Sequence, residues 1–137
     1  MDNTVFKPSQ VSIDVVTTYL PSHSRPESDQ YTFAYTITIS NGGEVPVQLL
    51  SRHWIITDAN NSVQEVRGEG VVGEQPLIAP GSSFRYTSGA TLATPAGCME
   101  GTYFMVVRES DDEPLEEAPE FEVPIPAFSL HTPNALH

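Results

Sequence analysis

The stretch SRHWIITDANNSVQEVRGEGVVGEQPLIAPG, residues 51–81, decides the fold, because its three spaced glycines either open a helix or bend a chain between strands. Gly68, Gly70 and Gly73 stand in Gly-x-Gly-x-x-Gly spacing. A phosphate or dinucleotide loop of this spacing needs a following helix, whose first free N–H groups and positive dipole end face the anion. Here Glu74, Gln75, Pro76, Pro80 and Gly81 follow instead, and they describe an extended, turning chain. Glu69 and Glu74 also set carboxylates where a pyrophosphate would sit, with Arg67 the adjacent cation. The sequence therefore predicts that the glycines supply positive φ or close backbone approach between strands. The alternative is a small-anion site, for pyrophosphate or a nucleotide, made of Gly68, Gly70, Gly73 and Arg67.

Outward from this stretch, period-two alternation dominates. Tyr31, Phe33, Tyr35, Ile37 and Ile39 interleave with Thr32, Ala34, Thr36, Thr38 and Ser40, a strand with one large-apolar face. Asn41, Gly42 and Gly43 close it. A second extended run over 45–57 is turned back by Asp58, Ala59, Asn60 and Asn61 into 62–67, which predicts a hairpin. Val11, Ile13 and Val15 mark an earlier strand, and 84–91, 103–108 and 121–128 mark later ones. No stretch has helical periodicity. About seven short strands separated by turn signals predict an all-β, immunoglobulin-like antiparallel sandwich of two sheets, with a barrel as the alternative. Pro21, Pro26, Pro124 and Pro126 flank or interrupt strands, where they limit edge pairing.

The 137 residues fit a single domain, 1–137, large enough to bury a core without staples. Cys98 is the one cysteine, so an inter-sheet disulfide is excluded and the core rests on aliphatic and aromatic burial. Met1 suggests a natural start, although a domain cut from a longer protein would look the same, and with no secretory pattern after it a reducing cytoplasmic setting is expected. The net charge of -12 disfavours nucleic acid and anionic lipid surfaces, and no apolar run is long enough for membrane insertion. Glu109, Asp111, Asp112, Glu113, Glu116, Glu117, Glu120 and Glu122 crowd a stretch with Pro114 and Pro119, predicted to be a solvated, mobile loop over about 109–120. They lack the ligand register of a calcium loop. Residues 131–137 are expected to form a short flexible tail.

RHWIITDA at 52–59, VRGEGVVGEQPLIAPG at 66–81, YTSG at 86–89 and GTYFM at 101–105, in that order, resemble the bacterial ApaG family. The resemblance runs from the first strand to VPIPAFSL at 123–130. It implies a fibronectin type III-like sandwich. Related domains in eukaryotic F-box proteins and a polymerase-delta-interacting protein look like interaction modules, and bacterial members are associated with cobalt and magnesium resistance or efflux. The resemblance carries no metal-ligand motif onto residues of this chain, and the acidic connection after Arg108 is longer than the family's usual one.

Among candidate sites, alternation sets Arg52, Trp54 and Ile56 on one face of a strand, and His53, Ile55 and Thr57 on the other. Either Arg52 and Trp54 anchor a partner together with Val71 and Val72, or Trp54 is the central core residue and Arg52 pairs with a nearby carboxylate. Metal ligation has no support in spacing: His23, His53, His131 and His137 are scattered, and zinc would need a Cys and His cluster. Cys98 has no neighbouring cation to lower its pKa and reads as a plain thiol. With no nucleophile, acid–base or cofactor motif, the sequence predicts a non-enzymatic domain that binds an unidentified protein partner, with a homo-oligomer also open. A divalent-metal sensor using surface carboxylates is the competing class.

Overall fold

The computed structural model describes residues 7–110 and 112–134, and in them the alternating runs become eight strands. These are β1 (Val11–Tyr19), β2 (Tyr31–Asn41), β3 (Val47–Asp58), β4 (Val63–Glu69), β5 (Leu77–Ile78), β6 (Ser83–Leu92), β7 (Ala96–Val107) and β8 (Glu120–His131). Met1, Asp111 and His137 lie outside the described residues, as do the last three residues of the expected tail. Helical structure among the described residues is limited to four 3-10 turns, three of which carry proline first, at Pro8, Pro21 and Pro26. Proline's fixed φ starts such a turn and its missing N–H stops it from pairing.

All strand pairs are antiparallel, and they form a β-sandwich of a three-stranded sheet, β1-β2-β6, against a larger sheet, β4-β3-β7-β8, with β5 paired to β3. Phe33, Tyr35, Ile37 and Ile39 on β2 meet Leu49, Trp54, Tyr103 and Met105 of the facing sheet in one buried cluster. Odd spacing puts Leu49 and Trp54 on opposite faces of a regular strand. Both are buried, because an extra residue at Leu50, between the pairs Leu49↔Met105 and Ser51↔Phe104, flips the phase of β3.

The hairpin of 45–57 with 62–67 is present as β3 and β4, with Asp58 Oδ1 accepting from the N–H groups of Asn60 and Ser62 in its turn. β7 starts at Ala96, seven residues before the expected Tyr103, because Gly97 and Gly101 belong to the strand and not to a turn. A Cβ at Gly101 would lie 2.2 Å from the His53 carbonyl oxygen and 3.2 Å from Trp54 Cε3, so the missing side chain admits the indole.

The acidic connection is exposed, as expected, but it is fastened at its root. Arg108 donates from Nε and Nη2 to the Glu113 carbonyl at 3.0 and 2.8 Å, and from Nη1 to Gln48 Oε1 at 2.6 Å. Leu115–Glu117 forms a 3-10 turn and Ala118 is buried, so the described part of this segment is tied down at Arg108 and again at Ala118.

Candidate functional site

Gly70 and Gly73 take φ of 62° and 81°, which glycine tolerates and side chains resist. Between them the chain reverses over Val71, Val72, Gly73 and Glu74. Val71 N–H donates to the Glu74 carbonyl at 2.8 Å, and Glu74 N–H returns to Val71 at 2.9 Å. With φ positive at both Val72 and Gly73, this is the two-residue I′ turn that suits a twisted hairpin. No helix begins at Gly73. Gly70 N–H is also taken, by the Leu50 carbonyl at 2.8 Å, so three amides of the segment are already bonded within the chain. Arg67 lies on β4 opposite His53, on the face away from Gly68. The four residues of the anion reading are therefore not gathered around one point.

Gly68 has a different task. Its register partner is Arg52, and a Cβ there would lie 2.8 to 2.9 Å from the guanidinium. The guanidinium crosses the bare glycine, and Nη1 donates to the carbonyls of Glu69 at 3.2 Å and Gly70 at 2.7 Å. Arg52 thus pairs with two carbonyl oxygens, where the sequence offered a carboxylate. Arg52 anchors the turn to β3, which explains why glycine and arginine face one another at this spot.

Of the four residues expected to meet a partner, the structure buries two. Trp54 is 2% exposed and Val71 1%, each within the core cluster, so Val71 offers no side chain to a partner. Val72 stands at the turn's tip, 54% exposed, and Arg52 is half-buried. The opposite face of β3 is mixed. His53 Nε2 lies 2.8 Å from Glu65 Oε1, flanking a half-buried Ile55, and no continuous apolar surface forms there.

The two sheets differ in width. β1 packs beside β8 on one side, whereas on the other β4 projects past the edge strand β6 and its residues stay largely exposed. A cleft of about 380 Å³ opens between them. Arg52, Trp54 and Ile56 of β3 form its floor, Gln64 and Val66 of β4 one rim, and the β6 segment from Ser88 to Thr91 the other. Trp54 meets Tyr35, Phe128 and Tyr103 edge-on at centroid distances of 5.5, 5.8 and 6.3 Å. Its Nε1–H is buried without an acceptor. No sequence signal reveals that cleft, because it arises from a mismatch between sheets distant in sequence.

Beneath the cleft the hydroxyls of Tyr86 and Tyr103 hydrogen-bond across the two sheets. Burial pushes both above the ordinary tyrosine value of 10.0; the neighbouring Tyr86 raises Tyr103 further, while the bond from Tyr103 offsets part of the shift at Tyr86. Both groups stay protonated in the folded state after the unfolded chain has begun to ionise. Stability should hold below pH 10 and fall above it, by at least about 1.4 kcal/mol per pH unit. Urea unfolding between pH 8 and 11 checks this, and Tyr103→Phe should flatten the alkaline slope.

Other candidates stay apart. Cys98 is half-buried on β7 between Thr57 and Ser129, His23 sits in a 3-10 turn and His131 ends β8. Among the described residues no group of three or more His, Cys, Asp or Glu is placed to hold a metal ion. Nor does any helix among them have the length and apolarity to cross a membrane.

A β-sandwich with a glycine-pinned I′ turn and an open inter-sheet cleft is the class of domain defined here. The family model described as DUF525, ApaG domain, matches residues 21–107, and the chain belongs to that ApaG family. It is 56% identical over 128 residues to Protein ApaG of Ralstonia nicotianae, covering 93% of this chain and 97% of that one. Protein ApaG of Dechloromonas aromatica is equally similar, at 56% over 93% of this chain and 94% of its own. The crystal structure of an ApaA protein from Bordetella pertussis superposes with a TM-score of 0.81 at 51% identity, over 90% of this chain and 94% of that one.

Proposed function

We propose that this chain is a non-enzymatic protein-interaction domain whose contact surface runs along the β4 edge and the turn after it. The observation that carries the reading is where apolar surface is left exposed. Of the six exposed large hydrophobic residues among those described, Val63, Val66, Val72 and Leu77 fall within this one segment of the chain. Among the described residues β4 is also a sheet edge, the kind of strand that can receive another chain. Val72 adds a second argument, since a β-branched residue at φ 42° is disfavoured by about 1–2 kcal/mol. A polar residue would fit the tip better, so an exposed valine there points to contact, not to folding.

The perturbed titratable groups support a non-catalytic role: Tyr86 and Tyr103 are shifted upward, away from neutral pH, where they move no protons. The association with cobalt and magnesium resistance that the family resemblance implies would then run through a protein partner.

Val72→Asn tests the proposal. Asparagine tolerates left-handed backbone and Asn-Gly is the favoured I′ pair, so the variant should gain about 1 kcal/mol in chemical unfolding. In affinity capture with matched baits, a partner held by the native chain should be lost from Val72→Asn and from Val63→Lys. A partner profile identical for all three baits rejects the β4 surface.

A further inference from the structure

The cleft between β4 and β6 shares Val66 with that contact surface, but its charge and lining are its own. Arg52 is the charged residue on its lining, and no carboxylate lines it, although the whole chain carries a net charge of -12. Glu65 and Glu69 alternate with Gln64, Val66 and Gly68 along β4 and so belong to the outer face. A local cation in an acidic molecule, set over apolar walls of reduced dielectric, concentrates potential for an anion. Arg52 uses Nη1 to hold the turn, and among the described residues no hydrogen bond engages Nε or Nη2. The fork that recognises a carboxylate is thus half free.

Trp54 makes the second observation. Its indole lines the cleft and is packed edge-on by three rings, yet Nε1–H has no acceptor. Buried donors are almost always satisfied, and leaving one unmade costs about 1–3 kcal/mol. A strand that only had to fill the core would do so with phenylalanine at no such penalty.

The geometry points to a binding site for a small organic acid in this cleft, with its carboxylate on the free guanidinium N–H groups of Arg52 and its flat apolar body against Trp54 and Val66. Size and charge narrow the class. At about 380 Å³ the cleft is near the lower end for ligand pockets, about 300–1,000 Å³, and it has one cation. A polyphosphate is too highly charged to be matched by that single cation, whereas an aryl or alkyl carboxylate is matched in both charge and apolar area.

Trp54 is the chain's sole tryptophan, so one indole N–H resonance and one fluorophore report on the cleft. The full chain should be titrated with phenylacetate and 3-phenylpropionate, with their carboxamides as neutral counterparts and acetate as a charge without a body. Both acids should move the indole N–H resonance saturably, with affinity about tenfold above that of the amides and of acetate. Gln64→Glu, an exposed change that places a carboxylate on the rim, should weaken the acids about tenfold while leaving the unfolding midpoint unchanged, and Arg52→Gln should do the same to binding. The proposal is overturned if neither acid produces a saturable shift up to about 10 mM, if the amides bind as well as the acids, or if Gln64→Glu binds like the native chain. Val72→Asn should leave these titrations untouched, so failure here and failure of the interaction surface are separable.

Discussion

Gly101→Ala should destabilise the sandwich by about 3 kcal/mol, a large effect for a single added carbon. The new Cβ would sit 2.2 Å from the His53 carbonyl oxygen, a backbone atom of β3 that cannot rotate away. β3 is held between β4 and β7, so relief requires shifting a central strand and the Trp54 ring above Gly101 with it. Gly73→Ala is the informative contrast. At Gly73 a Cβ meets nothing within 4 Å, and only its φ of 81° resists, a penalty of about 1 kcal/mol. Urea unfolding of the two variants separates crowding from conformational strain. Equal midpoints would show that β3 can yield, and the account of Gly101 would be wrong.

Trp54→Ala should lose about 3–5 kcal/mol, enough to leave a domain of ordinary stability close to its unfolding threshold. The loss combines removal of a fully buried ring, the cavity it leaves open to the cleft, and three edge-on contacts with Tyr35, Tyr103 and Phe128. Trp54→Phe should cost under about half as much, because it keeps a ring and deletes the N–H that has no acceptor. Thermal and chemical unfolding of both variants checks the ordering. If Trp54→Phe proved as damaging as Trp54→Ala, the indole nitrogen would have to hold a structural bond that the packing does not provide.

The parts of this fold legible in the sequence were those written in local periodicity. Alternation from Tyr31 to Ser40 named the buried face of β2, since Phe33, Tyr35, Ile37 and Ile39 are all buried. The Asp58 turn and the helix-breaking residues after Gly73 likewise marked a hairpin and a bend. Legibility failed where a residue's role depends on a distant neighbour. The sequence placed Val71 and Val72 together in a contact surface, but the I′ turn puts successive side chains on opposite sides, one in the core and one in solvent. The expected strand at 103–108 left out Gly97 and Gly101, because nothing local shows the β3 backbone that lies against both or the indole that lies over Gly101.

Sequence alone determined that this protein is built from strands, that its glycine spacing bends a chain between strands, and that Trp54 and Arg52 share a face. Those properties follow from the two-residue repeat of a strand and from the φ that glycine permits, both of which act within a few residues. Only the tertiary structure decided that β4 would overhang β6, that Arg52 would lie across Gly68, and that the indole N–H would be sealed without an acceptor. Each of these depends on how two sheets of unequal width stack, a constraint that couples residues far apart along the chain and leaves no periodic mark in it.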